Sequence, residues 1–228
     1  MVHTLINDPA VSRKARRGLR FNNRQVALSV TAVALLAACS WLWSGTRVVD
    51  LGVGTNLVRS DLVQRWSHGD VVVMVRHAER CDRSSNPCLG SAEGITKAGS
   101  NAALAVGSGL QRLGLDSARL MASPTVRTQQ TAEFISGHVV PGQGWLSECN
   151  SGFKEAVLAH KQPRQNLVLI THSGCIDQFE RQMGVHAADR SSAYAQAFFV
   201  RVDGKHAPKI LGSMDAAQWK NLTVGQWN

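Results

Sequence analysis

Val71-Val72-Val73-Met74-Val75 is an unbroken apolar run, the pattern of a strand buried on both faces of a helix-covered parallel sheet. Leu167-Val168-Leu169-Ile170 repeats it, and Arg119 to Ala122 predicts a shorter strand. Between these runs the period changes to that of helices. Val58, Leu62 and Trp66, spaced by four, predict a short amphipathic helix over Asn56 to Trp66, ended by Gly69-Asp70. Ala103, Val106, Leu110 and Leu113 form the buried stripe of a helix that starts near Lys97, with Thr96 as N-cap and Gly114 as a left-handed stop. Ser123-Pro124 opens another helix, with Ser123 as its N-cap and proline in the first turn, and Gly137 stops it. Gly152 to His160 predicts a further helix, and the chain enters one more just after His172. Late strands over Phe198 to Val202 and Lys209 to Leu211 flank Asp203-Gly204, a hairpin signal. Beyond Met214 no pattern is legible. Strands alternating with helices predict an α/β fold, a three-layer α/β/α sandwich on a mostly parallel sheet.

A different pattern precedes this domain. Arg13, Lys14, Arg16, Arg17, Arg20 and Arg24 lead into the uncharged run Val26 to Trp43, whose 18 residues are just enough to span a bilayer as a helix. Basic residues before such a run hold that end in the cytoplasm and send the following domain outward, and Trp41 and Trp43 suit the membrane interface. Three export readings stand: an uncleaved signal anchor, a lipoprotein signal with Leu36-Ala37-Ala38-Cys39 as lipobox and Cys39 lipidated, or a cleaved signal peptide. All predict a periplasmic domain, and the anchor and lipoprotein readings tether it to the membrane. The division expected is a basic cytoplasmic region over 1–25, the anchor or lipoprotein signal over 26–43, a linker with a short helix over 44–69, and the main domain over 70–228.

Charge adds little. The net charge is +9, but six basic residues and one acid fall before Gly45, leaving nineteen basic and fifteen acidic residues behind. The excess is mostly the membrane-orientation cluster, so no nucleic-acid partner is expected, and the remainder mildly favours a phosphorylated substrate.

Three groups share one geometry. Arg76-His77 follows the first buried run, Ser123 to Arg127 the second strand, and His172 the third. Ligands of open α/β sheets bind beyond the carboxyl ends of strands, so parallel neighbours would bring these groups together. The blocks themselves resemble a known family. VVVMVRHAE, Val71 to Glu79, resembles the Arg-His-Gly motif of the histidine phosphatase (phosphoglycerate mutase-like) superfamily, with Ala78 in place of glycine. Ser123-Pro124-Thr125-Val126-Arg127-Thr128-Gln129-Gln130-Thr131-Ala132 resembles its second block, where the arginine binds phosphate. Gly94-Ile95-Thr96-Lys97-Ala98-Gly99 resembles its L-T-x-x-G helix start, and Leu169-Ile170-Thr171-His172-Ser173 the strand ending in its second catalytic histidine. More narrowly, Arg76-His77-Ala78-Glu79-Arg80-Cys81-Asp82, with Cys88 shortly after, is similar to the Ais-type lipopolysaccharide core heptose-phosphate phosphatases.

The resemblance implies an exported phosphomonoesterase acting on a phosphorylated glycan or small molecule, with His77 as nucleophile, Arg76, Arg127 and Arg80 binding phosphate, and His172 as the second catalytic histidine. A neutral imidazole avoids the repulsion an anionic nucleophile meets at a phosphate monoester, and guanidinium groups match the spread charge of the transferred group. No cofactor or metal is called for. The leaving alcohol needs a proton. Glu148, 21 residues after Arg127, lies near where many members place their acid, and Glu79 adjoins the nucleophile. Arg83 reads equally as a solvated loop charge. Cys81 with Cys88 is the economical disulfide in an oxidising compartment, closing a short loop beside His77, while Cys149 and Cys175 either pair or stay free. Two rivals remain open: a protein-phosphohistidine or other small-molecule phosphatase on the same fold, and a non-catalytic envelope protein that binds phosphate.

Overall fold

The computed structural model describes residues 22–43, 45–190 and 192–220. The chain divides into two compact units, Met1–Ser44 and Gly45–Asn228. In the first, helix α1 (Asn23–Trp43) contains the uncharged run, and Leu28, Val30, Val33, Leu35 and Leu36 are each more than half exposed. Arg13, Lys14, Arg16, Arg17 and Arg20 lie outside the described residues, as do the side chains of Cys39, Trp41 and Trp43. Among the described residues no helix is long and apolar enough to cross a membrane.

In the second unit the amphipathic stretch after Thr55 is two short helices, α2 (Asn56–Arg59) and α3 (Leu62–Ser67). The break is at Asp61, a non-glycine residue at φ 57°, which a single continuous helix does not accommodate. Leu51, Leu57, Leu62 and Trp66 are buried, and Leu51 N–H donates to the Ser213 carbonyl at 2.8 Å. Residues 45–69, expected as a linker carrying a short helix, therefore belong to the packed domain. The elements that follow are β1 (Val71–Arg76), α4 (Lys97–Leu113), β2 (Arg119–Ala122), α5 (Val126–Ser136), α6 (Phe153–His160), β3 (Leu167–Thr171), α7 (Ser173–Gln182), β4 (Ala197–Arg201), β5 (Lys209–Met214) and α8 (Ala216–Trp219).

The sheet order is β2-β3-β1-β4-β5. β1 and β2 each pair with β3 in parallel, and β4 runs antiparallel to both β1 and β5. Four of the five strands thus share one direction. Because side chains alternate across a strand, Val71, Val73 and Val75 join one core with Leu62, Val106, Leu110, Ile135 and Trp219. Val72 and Met74 join the opposite core with Leu146, Phe153, Val157, Ile176 and Phe179. Each such buried side chain contributes roughly 1.5–3 kcal/mol. Helices cover both faces of the sheet, giving the three-layer α/β/α architecture.

The helix stops behave as their residues dictate. Thr96 Oγ1 accepts from Gly99 N–H at 2.9 Å, and Gly114 closes α4 at φ 97°. Beyond Met214, where the sequence is unreadable, Asp215 and Gln218 form a capping box on α8, and Trp219 fills the core.

Candidate functional site

β1 and β3 lie in a register that pairs Arg76 with Thr171, and His77 N–H donates to the Thr171 carbonyl at 2.9 Å. The next residue on each strand is a histidine, so this register alone sets His77 beside His172. Their rings meet edge to face, with centroids 5.5 Å apart. β2 completes the rim: Ser123 N–H donates to the Ile170 carbonyl at 2.9 Å, and Arg127 follows in the first turn of α5. The convergence rests on three parallel strands ending at one edge.

His77 is almost wholly buried, and its Nδ1 lies 2.9 Å from the Ala78 carbonyl oxygen. A carbonyl only accepts, so Nδ1 carries the proton and Nε2 is left with a free lone pair. Ala78 is itself fixed, its N–H donating to Thr131 Oγ1 at 2.9 Å, and Thr131 donates to the Arg127 carbonyl at 2.6 Å. The nucleophile loop and the arginine helix are thereby joined directly. The L-T-x-x-G block supports the same loop from behind: a Cβ on Gly99 would stand 2.9 Å from Glu79 N, so only glycine lets α4 approach this closely.

The cations surround this nitrogen-rich centre. The Nε atoms of Arg76 and of Arg127 are buried and have no acceptor among the described residues. Leaving such donors unmet is costly unless a ligand meets them. Arg76 Nη1 donates to the Ser192 carbonyl at 2.5 Å, and its guanidinium lies over the Tyr194 ring, 3.9 Å from the centroid. Arg80 pairs with Asp82 through Nε at 2.8 Å to Oδ1, and it is close enough to act electrostatically on Arg76, Arg127 and His172. Arg83 is exposed. Burial, and then the neighbouring cationic charge, pushes His77 down to about 3 and His172 down to about 4. Both imidazoles are therefore neutral at pH 7 in the substrate-free site.

Three placements depart from the expected site. Ser123 does not cap α5; Thr125 holds that position. The Ser123 hydroxyl instead lies 2.9 Å from His172 Nε2 and 2.7 Å from Ser147 Oγ. Its carbonyl accepts from Thr128 Oγ1 and Gln129 Nε2, each at 2.7 Å, and this ties down the turn that a cap would otherwise secure. Glu79 turns away from the nucleophile: its Oε2 accepts from Thr96 Oγ1 at 2.6 Å and Asn86 Nδ2 at 2.9 Å, which lowers its pKa. Glu148 is exposed, at the end of the 3-10 turn Gly144–Ser147, and the residue of that turn that meets the site is Ser147, through the Ser123 hydroxyl.

Ser147 and Tyr194 had no sequence signal as site residues. Neither belongs to a block, although Tyr194 is the only tyrosine of the chain. Two disulfides flank the rim. Cys81–Cys88 closes the loop after Arg80, and Cys149–Cys175 ties the loop of Ser147 to the helix that follows His172.

No protein-family model matches this chain. Among curated proteins it is 33% identical over 165 residues to the lipopolysaccharide core heptose(II)-phosphate phosphatase of Salmonella typhi, covering 69% of this chain and 79% of that protein. The protein of the same name from Salmonella paratyphi B matches with the same identity and coverage. Among solved structures, the protein histidine phosphatase SixA complexed with tungstate superposes with a TM-score of 0.52 at 14% identity, covering 64% of this chain and 97% of that one. A phosphoserine phosphatase mutant from Entamoeba histolytica superposes with a TM-score of 0.51 at 12% identity, covering 65% and 98%. The structural likenesses carry the fold; the sequence likeness carries the family.

Proposed function

Since the chain belongs to the histidine phosphatases, among the lipopolysaccharide core heptose(II)-phosphate phosphatases, and is a hydrolase of phosphate monoesters, we propose that it is an exported enzyme that removes phosphate from a heptose of the lipopolysaccharide core through a phosphohistidine on His77. The observation that carries the chemistry is the pair of buried, unmet Nε–H donors of Arg76 and Arg127 beside a histidine whose Nε2 lone pair is free.

In this reading His77 Nε2 attacks phosphorus as the bond to the leaving sugar oxygen breaks. Arg76 and Arg127 bind the equatorial oxygens, where charge is spread in the transition state, and Arg80 adds positive potential. The bond from Nδ1 to the Ala78 carbonyl disperses the charge that develops on the imidazole as Nε2 becomes phosphorylated. His172, anchored through Nε2 by Ser123, turns its other ring nitrogen to the substrate, and a bound dianion restores its proton. Glu79 is engaged by Thr96 and Asn86, so the proton of the leaving alcohol comes from Glu148, next to Ser147, or from another group. Water then attacks the phosphohistidine and releases inorganic phosphate. The basic cluster and the uncharged run up to Trp43 support export and membrane tethering, by anchor or through Cys39.

Two experiments test this. The full-length protein in detergent should hydrolyse p-nitrophenyl phosphate and lose that turnover in His77→Ala; equal turnover of the two would remove the mechanism. Mass analysis of lipopolysaccharide from cells with and without the gene should differ by one phosphate on the core, and identical core masses would remove the substrate.

A further inference from the structure

Arg76 has no carboxylate partner among the described residues. Its guanidinium is instead held by a carbonyl on one edge, Ser192 to Nη1 at 2.5 Å, and by an aromatic face, with Tyr194 at 3.9 Å from Cζ to ring centroid. The difference matters for an anion site. A carboxylate would fix the arginine but cancel the charge that phosphate must find. An aromatic ring fixes the plane of the guanidinium through its quadrupole and leaves the charge intact.

The ring is held by an unusual piece of backbone. Arg76 N–H donates to the Gln196 carbonyl at 3.1 Å, and Ala195 N–H donates to the Arg76 carbonyl at 3.1 Å. Ala195, fully buried, stands at φ 56°, in the left-handed region that alanine rarely adopts. Gln196 Nε2 donates to Asp215 Oδ1 at 2.7 Å, and Gln196 Oε1 accepts from Ala193 N–H at 3.2 Å. The segment is pinned on both sides of Tyr194, and a left-handed alanine directs the tyrosine back over the end of β1. There the ring lies 5.8 Å from the His77 ring as well. Strained backbone kept by surrounding hydrogen bonds is characteristic of sites under functional constraint.

We propose that Tyr194 is the positioning residue for Arg76. With Nη1 consumed by Ser192 and the plane set by Tyr194, the buried Nε–H of Arg76 is presented to a phosphoryl oxygen, and the ring screens that side of His77 from water. The assignment rests on the reading of Arg76 as a phosphate ligand.

The test uses the full-length protein and inorganic phosphate as the probe, with affinity measured by calorimetry so that it does not depend on turnover. Tyr194→Phe keeps the ring and should hold phosphate within about twofold of wild type, whereas Tyr194→Leu should weaken it about fivefold, as for a half-buried cation–π contact. Arg76→Ala should weaken it by at least as much, and adding Tyr194→Leu to Arg76→Ala should change it by less than about twofold, because the tyrosine acts through the arginine. Multiplying losses in the double variant, or a Tyr194→Leu affinity equal to wild type, would overturn the assignment. If Tyr194→Leu lacks a native melting transition, Tyr194→Ser replaces it with the same expectations. An unaltered phosphate affinity in Arg76→Ala would remove the underlying role of Arg76. Absence of turnover in the wild type with these affinity effects intact would count against the hydrolytic reading and leave the role of Tyr194 standing.

Discussion

His172 Nε2 lies 2.9 Å from the hydroxyl of Ser123, a fully buried residue whose Oγ is also 2.7 Å from Ser147. One ring nitrogen of the second histidine is thus occupied by protein, and its orientation depends on a two-hydroxyl chain from a neighbouring loop. Ser123→Ala removes the anchor and leaves a half-buried imidazole nitrogen without its protein partner, which costs about 1 kcal/mol. The expected outcome is a fall in kcat/KM of about ten- to a hundredfold with p-nitrophenyl phosphate, with a smaller fall for Ser147→Ala. Equal activity of Ser123→Ala and wild type would assign the contact to packing alone.

His172 should also take up a proton when phosphate binds. Burial first, and then cationic neighbours, holds His77 at about 3 and His172 at about 4, below the ordinary value near 6.5. Between about pH 4 and 6.5 the unfolded chain therefore binds more protons than the folded one, so stability falls as pH drops through that window. A phosphate dianion offsets the charges of Arg127 and Arg80 that depress His172. Calorimetry of phosphate binding at pH 6 in two buffers of different ionisation enthalpy should give different heats, with net proton uptake. Identical heats would contradict the protonation of His172 by substrate.

Glu180 on α7 offers the opposite pH signature. It is 1% exposed, its Oε2 has no partner among the described residues, and burial, reinforced by Asp177, raises it to about 7 against the pull of Arg190. Between about pH 4.5 and 7 the folded state binds more protons than the unfolded one, so stability declines as pH rises through that window, by up to about 3 kcal/mol. Glu180→Gln should match wild type in melting temperature at pH 5 and exceed it by about 5 °C or more at pH 8. A constant difference across both pH values would show that the carboxyl does not titrate on unfolding.

The two disulfides should contribute unequally. Cys149 and Cys175 are 26 residues apart, Cys81 and Cys88 only 7. Loop-closure entropy makes the longer link worth about 3.5 kcal/mol and the shorter about 2.4 kcal/mol. Cys149→Ser/Cys175→Ser should lower stability more than Cys81→Ser/Cys88→Ser. It should also reduce kcat, since it frees the loop that carries Ser147. Denaturant unfolding and p-nitrophenyl phosphate turnover of both double variants check the order.

The buried strands, the Thr96 cap and the Gly114 stop were legible because each depends on neighbours within a few positions. His77, Arg76, Arg127 and His172 were legible as candidates because each falls at the end of a recognisable strand or the start of a helix, and a parallel register brings such positions together. By the same local logic Ser123 was assigned to a helix cap, since a serine before a proline reads that way whatever lies across the sheet. The two short helices in place of one, and the packing of residues 45–69, were hidden because they depend on a turn at Asp61 and on contact with Ser213.

The chain by itself determined the alternation of strands and helices and the four groups at their ends, because periodicity, caps and motif blocks are written in short stretches. Only the tertiary structure decided what holds those groups. Ser147 arrives on a loop stapled to α7, Tyr194 on a left-handed turn after an unpatterned segment, and Glu79 is turned aside by Thr96 and Asn86. Such contacts join residues far apart in the chain through side-chain geometry, and no local pattern specifies which distant partner a hydroxyl, ring or carboxylate will meet.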